Sequence, residues 1–150
     1  MAQTLTSLLV HLVFSTKNRA DLITLEIESR LFAYIGGVIK NEKSLLLASG
    51  GTMNHVHLLL SLSKNTALSA LVKEIKQSSS KWIKTQGQEF ADFQWQEGYG
   101  AFTIGQSQVE TLRGYLAKQK AHHQRQSFED ELREVLTRYE VAYDERYLWD

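Results

Sequence analysis

Nine residues near the middle of the chain decide the fold: Asn54-His55-Val56-His57-Leu58-Leu59-Leu60-Ser61-Leu62. Side chains alternate between the two faces of a strand, so His55 and His57 point to the same face. The even-numbered residues from 56 to 62 form the opposite, apolar face. The stretch therefore predicts a strand that carries half of a metal site. The preceding Gly50-Gly51-Thr52 is predicted to be a turn that places the two imidazoles at the mouth of a sheet.

The hydrophobic patterns on either side of this strand predict one ferredoxin-like domain. They indicate a central strand at 8–14, a helix at 25–40, a strand at 45–48, the histidine strand, a helix at 66–86 capped by Thr66, and an aromatic strand at 93–104. The glycine turn would join the second and third strands as a hairpin. The order β-α-β-β-α-β is the split βαβ arrangement. The predicted class is thus α+β with a four-stranded antiparallel sheet.

Two C-terminal helices are predicted to follow the sheet. Ser107 and Glu110 would form a capping box for a helix at about 108–126, and Ser127 with Asp130 would start another. We divide the chain into a catalytic domain, 1–126, and an acidic helical extension, 127–150. Residues 1–127 hold 14 basic and 9 acidic residues, whereas residues 128–150 hold 3 arginines and 8 acids. The basic part of the chain suits an anionic partner, and the acidic extension would lie across that basic surface. The alternative interpretation is that solvated helices simply differ in charge.

Composition excludes several classes of protein. The chain has no cysteine, which rules out disulfides and thiol catalysis and fits a reducing compartment. No apolar run approaches the roughly 20 residues that span a bilayer, so we expect no membrane segment. The N-terminus lacks the basic and apolar regions of a signal peptide. We therefore expect a cytoplasmic protein.

Four lysines, with no acid on the same arc of the helix, mark one side of the 66–86 helix. They are Lys73, Lys76, Lys81 and Lys84, opposite the apolar side that carries Trp82. A solvated helix face is the plain interpretation, and a surface that tracks phosphates is the functional one. Lys17 and Arg19, in the polar loop after the first strand, are the other candidate DNA contacts. We expect Trp82 to pack in the core.

A third constellation lies on the predicted 108–126 helix. Tyr115, Gln119 and His122 are spaced by four and three residues, so they would share one face. A lone tyrosine at such a position is more often a packing residue than a nucleophile. The interpretation changes when this helix is considered beside the histidine strand.

In combination these motifs resemble the single-tyrosine transposases of the HUH superfamily, the TnpA-type enzymes of bacterial insertion sequences and their REP-associated relatives. The resemblance runs from about residue 10 to 128. It rests on 11–19 (HLVFSTKNR), Gly50-Gly51 with 54–60 (NHVHLLL), 79–83 (SSKWI), 95–102 (WQEGYGAF), 115–119 (YLAKQ) and His122-His123. The histidine pair alone is a weak signal, but its combination with Tyr-x-x-x-Gln downstream is specific.

The resemblance implies residue roles and partners. His55, His57 and Gln119 would bind a divalent metal, Mg²⁺ or Mn²⁺, and Tyr115 would attack single-stranded DNA at hairpin ends and form a 5′-phosphotyrosine. The enzyme would act as a homodimer, in which the tyrosine helix can complete the partner's active site in trans; cis and trans arrangements both stay open at this stage. Asn54 stands where many relatives have aspartate, and it could keep a hydrogen bond to a ligand histidine.

Two other functions remain open at this stage. A non-catalytic module that binds single-stranded nucleic acid shares the same element order. A metal-dependent hydrolase using His55, His57 and His11 would activate water and would not need Tyr115. Five other tyrosines are rivals for the nucleophile, and none has a potential metal ligand one turn away: Tyr34, Tyr99, Tyr139, Tyr143 and Tyr147.

Overall fold

A four-stranded antiparallel sheet organises the molecule, and its strand order is β2-β3-β1-β4. The computed structural model describes residues 2–150. Its elements are β1 (Leu9–Ser15), α1 (Leu25–Asn41), β2 (Leu45–Gly51), β3 (His55–Ser61), α2 (Leu68–Lys84), β4 (Gly100–Thr103), α3 (Val109–Ala117), α4 (Gln119–His122) and α5 (Phe128–Arg138). The predicted α+β class, with β-α-β-β-α-β order and C-terminal helices, is confirmed. None of the described helices is long and apolar enough to cross a membrane.

One face of the sheet carries the main core. Leu12 and Phe14 of β1 and the even-numbered residues of β3 pack against α1 and α2, and all are fully buried. Trp82 stacks on Tyr34 with ring centroids 4.9 Å apart at the edge of this core. Its predicted packing role is confirmed. The alternation of β3 thus leaves its histidines on the other face.

The three C-terminal helices cover that histidine face. Val109, Leu112 and Leu116 of α3 pack on Leu9 and Leu59. A separate cluster joins α5 to β1 and β4 through Phe128, Leu132, Leu136, Val13 and Phe102. Ser127 caps α5 as predicted, since its hydroxyl accepts from the Asp130 N–H at 3.1 Å. The acidic extension is therefore packed on the sheet rather than detached from it.

The predicted glycine turn is wrong. Gly50 and Gly51 end β2 and pair with His57 and Val56, and the turn lies at 52–54. A Cβ at Gly50 would overlap the backbone carbonyl of Leu116. The glycine is required because it lets α3 approach the sheet closely, and a turn signal looks the same in sequence.

The predicted fourth strand is too long. Only Gly100–Thr103 pairs with β1, and Trp95 forms one isolated bridge with Thr16. Phe93 and Trp95 are buried by edge-on contacts with each other and with Phe14, which need no strand geometry. The Gly98 N–H donates to the Asp150 carbonyl at 2.9 Å, so the C-terminal residue packs against this segment.

Three helix boundaries also differ from prediction. Thr66 does not cap α2, which begins at Leu68 after Ala67; its hydroxyl donates to the Glu42 carbonyl instead. Ser107 lies within a short 3₁₀ helix, Gln106–Gln108, and Gln108 Oε1 accepts from the Gly105 N–H. The predicted helix at 108–126 breaks at Lys118 into α3 and α4. Tyr115 and Gln119 thus lie on two successive helices.

Candidate active site

The two histidines of β3 are held rigidly from behind. His55 and His57 are essentially inaccessible to solvent. His55 Nδ1 lies 2.8 Å from Asn54 Oδ1 and 3.0 Å from Thr52 Oγ1. His57 Nδ1 lies 2.8 Å from Nε2 of His11, a buried residue of β1. These contacts leave both Nε2 atoms directed at one point, and the expected role of Asn54 is confirmed.

Gln119 faces His55 across that point. Its amide Nε2 donates to Glu131 Oε2 at 3.1 Å, which directs its Oε1 at His55 Nε2, 3.0 Å away. A neutral His55 ring has one N–H for the two amide oxygens beside it, and the tautomer that donates from Nδ1 to Asn54 presents a lone pair on Nε2 to Gln119 Oε1. Two acceptors without a proton between them are the arrangement that a cation completes. The donor set therefore fits a divalent metal on His55, His57 and Gln119.

Burial keeps the imidazoles in the form that binds metal. Desolvation, followed by repulsion from His57, lowers the pKa of His55 to about 3. The same two causes lower the pKa of His11 to about 3. Neutral imidazole is the metal-ligating form, so these two rings need no deprotonation at neutral pH.

Tyr115 lies against the same cluster. Its hydroxyl donates to Glu131, and its ring meets the His57 ring edge-on at 6.1 Å between centroids. Burial, and then the Glu131 carboxylate, raise the pKa of Tyr115 above its usual range. The phenol is thus held protonated beside the metal donors. A cation among those donors would oppose this effect.

Two residues of the cluster were missed as site residues in the sequence. Glu131 of α5 is buried, and His123 follows α4; with His55 and His57 they place four ligand atoms within 4.8 Å of one another. Burial opposes ionisation of Glu131, but hydrogen bonds from His123 and His57 dominate and lower its pKa well below the usual range. The available signal was an acid on the apolar stripe of α5, beside Leu132.

A cleft of about 430 Å³ gives access to the cluster. Tyr115, Glu131 and His11 lie along it, and Arg138 and Tyr139 form part of its rim. Tyr139 stacks on Phe102 with centroids 4.9 Å apart. Tyr115, which is partly exposed, therefore borders open space on this side of the cluster.

Comparison with known proteins decides the family. The family model described as "Transposase IS200 like" matches residues 4–119. The chain belongs to the IS200-like transposase family. No curated protein matches it.

Two solved structures share the fold of this IS200-like transposase. One is a protein from Deinococcus radiodurans R1 assigned as a transposase, with a TM-score of 0.63, 19% identity, and coverage of 79% of this chain and 95% of that one. The other is a REP-associated tyrosine transposase bound to a REP hairpin, with a TM-score of 0.61, 14% identity, and coverage of 82% and 72%. At these identities the likeness concerns the fold.

Most of the candidate DNA contacts of this transposase lie together. A groove of about 800 Å³ runs between α2 and residues 94–99 on the side of the sheet opposite the histidines, and five predicted residues line it: Lys17, Lys73, Lys76, Lys81 and Lys84. Arg19 lies elsewhere, because it pairs with Glu129 at 3.1 Å and covers the Trp149 ring. The groove brings together residues from two distant parts of the sequence.

Lys76 differs from the other lysines of this groove. Its ammonium donates to the carbonyls of Gln96, Glu97 and Gly98 at 2.8, 3.2 and 2.6 Å. Burial lowers its pKa to about 8, against the opposing effect of Glu97. Lys76 therefore anchors the 94–99 segment, while Lys17, Lys73, Lys81 and Lys84 are exposed.

Proposed function

We propose that this chain nicks and rejoins single-stranded DNA through a covalent 5′-phosphotyrosine on Tyr115. One observation carries the proposal. The Tyr115 hydroxyl and the Gln119 amide both donate hydrogen bonds to Glu131. The amide oxygen of the same Gln119 faces the imidazole of His55, so the phenol lies beside the candidate metal ligands. Membership of the IS200-like family supplies the matching reaction class.

The chemistry needs a nucleophile that is also a good leaving group. Tyr115 Oη attacks the scissile phosphorus, the bond from phosphorus to O3′ breaks, and the released 3′-oxygen takes up a proton while the phenol loses one. The phosphotyrosine conserves the energy of the phosphodiester. A DNA 3′-hydroxyl then attacks the same phosphorus, and Tyr115 leaves with a proton regained. Cleavage and rejoining therefore need no ATP.

His55, His57 and Gln119 hold the metal in this proposal. When bound, Mg²⁺ or Mn²⁺ neutralises the charge that develops on the phosphate. The protein's own contribution is to fix the donors: Asn54 orients His55 and His11 orients His57, both at 2.8 Å. Imidazole ligands favour Mn²⁺ over Mg²⁺ in vitro.

The substrate proposed is a hairpin that flanks the mobile element. The REP-associated relative is bound to a hairpin, and the lysine groove offers this chain a basic surface for phosphates. Lys17, Lys73, Lys81 and Lys84 would contact the backbone of the stem. The strand to be cut would then pass to the cleft on the other face of the sheet.

We infer that two copies act together. Excising an element requires two cleavages, and one Tyr115 holds one DNA end. A homodimer supplies two tyrosines, with active sites shared in trans if α3 exchanges through the 105–108 connection. Within one chain Tyr115 already contacts Glu131, so the described arrangement is a cis site. Sedimentation that shows only monomer with and without hairpin DNA would contradict the dimer.

A denaturing gel tests the proposed reaction. Protein, Mn²⁺ and labelled single-stranded DNA carrying the palindromes that flank its gene are mixed, with Tyr115→Phe and Tyr139→Phe alongside. Wild type and the Tyr139 variant should form a protein–DNA adduct, and Tyr115→Phe should form none. An adduct that survives in Tyr115→Phe would sink the proposal.

A metal-dependent hydrolase is the second candidate. It is favoured by the cluster of His55, His57, His123 and Glu131, a donor set that could activate water. It requires cleavage without an adduct in both wild type and Tyr115→Phe. The same gel therefore separates the two functions.

A further inference from the structure

Glu131 is a buried carboxylate on a helix whose position is set by other contacts. It is 2% exposed. Phe128 fixes α5 by stacking on the His55 ring with centroids 4.2 Å apart, and Glu129 pairs with Arg19 at 3.1 Å. An uncompensated charge in such a place is costly, so its neighbours must balance it.

The neighbours of Glu131 are metal-binding atoms. Its Oε1 lies 3.0 Å from His57 Nε2, 3.0 Å from His123 Nε2 and 3.7 Å from His55 Nε2. Ligand atoms that share one ion at bond lengths of about 2.0–2.2 Å lie roughly 3–3.6 Å apart. The distances from Oε1 to His57 and His123 fall in this range, and the distance to His55 is slightly longer.

We propose that Glu131, with His123, is a ligand of the divalent metal, so that the C-terminal extension completes the metal site. The proposal rests on the proposed function for the rest of that site. The family match ends at residue 119, and both added ligands lie beyond it. Glu131 lies in the extension and His123 lies just before it, so this part of the chain adds two donors to His55, His57 and Gln119.

Five donors from one chain leave little room for a phosphate oxygen. His55, His57 and Gln119 come from β3 and α4, which are held by the sheet, whereas Glu131 comes from α5. Glu131 also accepts from the Tyr115 hydroxyl, so the same carboxylate contacts both the metal site and the nucleophile. The resting site is thus closed by α5, and metal binding is coupled to the docking of that helix.

Mn²⁺ binding tests the assignment without DNA. Free Mn²⁺ is measured by electron paramagnetic resonance in titrations of wild type, Glu131→Gln and the control Glu134→Gln, which removes an exposed charge from the same helix. Glu131→Gln should weaken Mn²⁺ binding roughly ten- to hundredfold, and the control should stay close to wild type. Circular dichroism in EDTA establishes that each variant is folded.

A second readout covers loss of folding in the variant. This readout needs only the wild-type protein, in which Mn²⁺ should slow amide hydrogen exchange in α5. Binding by Glu131→Gln that equals or exceeds wild type, wild type that binds no Mn²⁺, or α5 exchange indifferent to Mn²⁺ would overturn the assignment. The adduct gel with Tyr115→Phe is independent of these results. If no protein–DNA adduct forms while Mn²⁺ binding still depends on Glu131, the proposed function is contradicted and the metal-ligand assignment stands.

Discussion

At the scale of single residues, the histidines of β3 and Gln119 depend on side chains that other elements bring to them. A histidine pair two apart on a strand, and a glutamine four residues after a tyrosine, are local patterns that the sequence displays. The partners of those groups come from distant elements: His11 from β1 and Glu131 from α5. Only the packing of β1 beside β3 and of α5 on the sheet brings them together, and no spacing in the chain encodes it.

Protonation of His11 should weaken the fold in acid. Its pKa is about 3 when folded and 6.5 when free. Below pH 6.5 the unfolded chain therefore binds more protons, and the free energy of unfolding falls as the pH drops, by up to about 1.4 kcal/mol per pH unit. Above pH 6.5 this contribution is fully present.

His11→Gln should flatten that dependence. The glutamine can still form a hydrogen bond with His57 Nδ1 but does not titrate. Melting temperatures in EDTA between pH 7.5 and 4.5 should fall less steeply for the variant than for wild type. His55 remains in both proteins, so the slope is reduced and not abolished. Parallel curves would show that His11 is not buried in its neutral form.

At the scale of elements, the type and order were readable and the ends were not. Periodicity is clear in α1, where burial follows the apolar pattern, and in the side-chain alternation of β3, whose two faces are both buried. The predicted strand at 93–104 is too long because its aromatic residues pack on the core without strand pairing. The predicted turn at Gly50 is wrong because the glycine serves the packing of α3 against β2. The break at Lys118 comes directly before Gln119, whose side chain is buried against His55 and Glu131.

Gly50→Ala tests the contact between β2 and α3. The new methyl group would overlap the Leu116 carbonyl and push α3, with the adjacent Tyr115, away from the sheet. We expect a loss of about 1–3 kcal/mol in the free energy of unfolding and a marked loss of adduct.

Gly37→Ala is the matched control for this substitution. Gly37 lies exposed on α1, and a Cβ there meets no atom within 4 Å. The free energy of unfolding should rise by up to about 1 kcal/mol, because alanine favours a helix, and adduct formation should not change. Chemical denaturation measures both variants. Equal stability of Gly50→Ala and wild type would contradict the close packing.

At the scale of the whole molecule, two surfaces lie on opposite sides of one sheet. The lysine groove lies beside α2, and the cluster of Tyr115 and the histidines lies under α3 and α5. The acidic extension covers the second of these surfaces. A DNA strand that uses both would therefore have to pass around the sheet, with the stem on one side and the cleavage point on the other.

The lysine groove should dominate the salt dependence of hairpin binding. Lys73→Ala and Lys84→Ala should each weaken binding and lower the slope of log K against log salt by about 1. Lys40→Ala, an exposed lysine of α1 outside the groove, should change neither. Fluorescence anisotropy over a salt series measures the slope. If Lys40→Ala changes the affinity and the salt slope as much as Lys73→Ala and Lys84→Ala do, the DNA does not bind in the groove.

The central claim is that Tyr115 becomes joined to the 5′ phosphate of DNA at this metal site. Mass spectrometry of the adduct, after trypsin and nuclease digestion, tests it most directly. The account predicts a phosphonucleotide on the peptide 114–118 and a free 3′-hydroxyl on the released strand. A phosphonucleotide on Tyr139, which lines the same cleft, or on any other residue would contradict it.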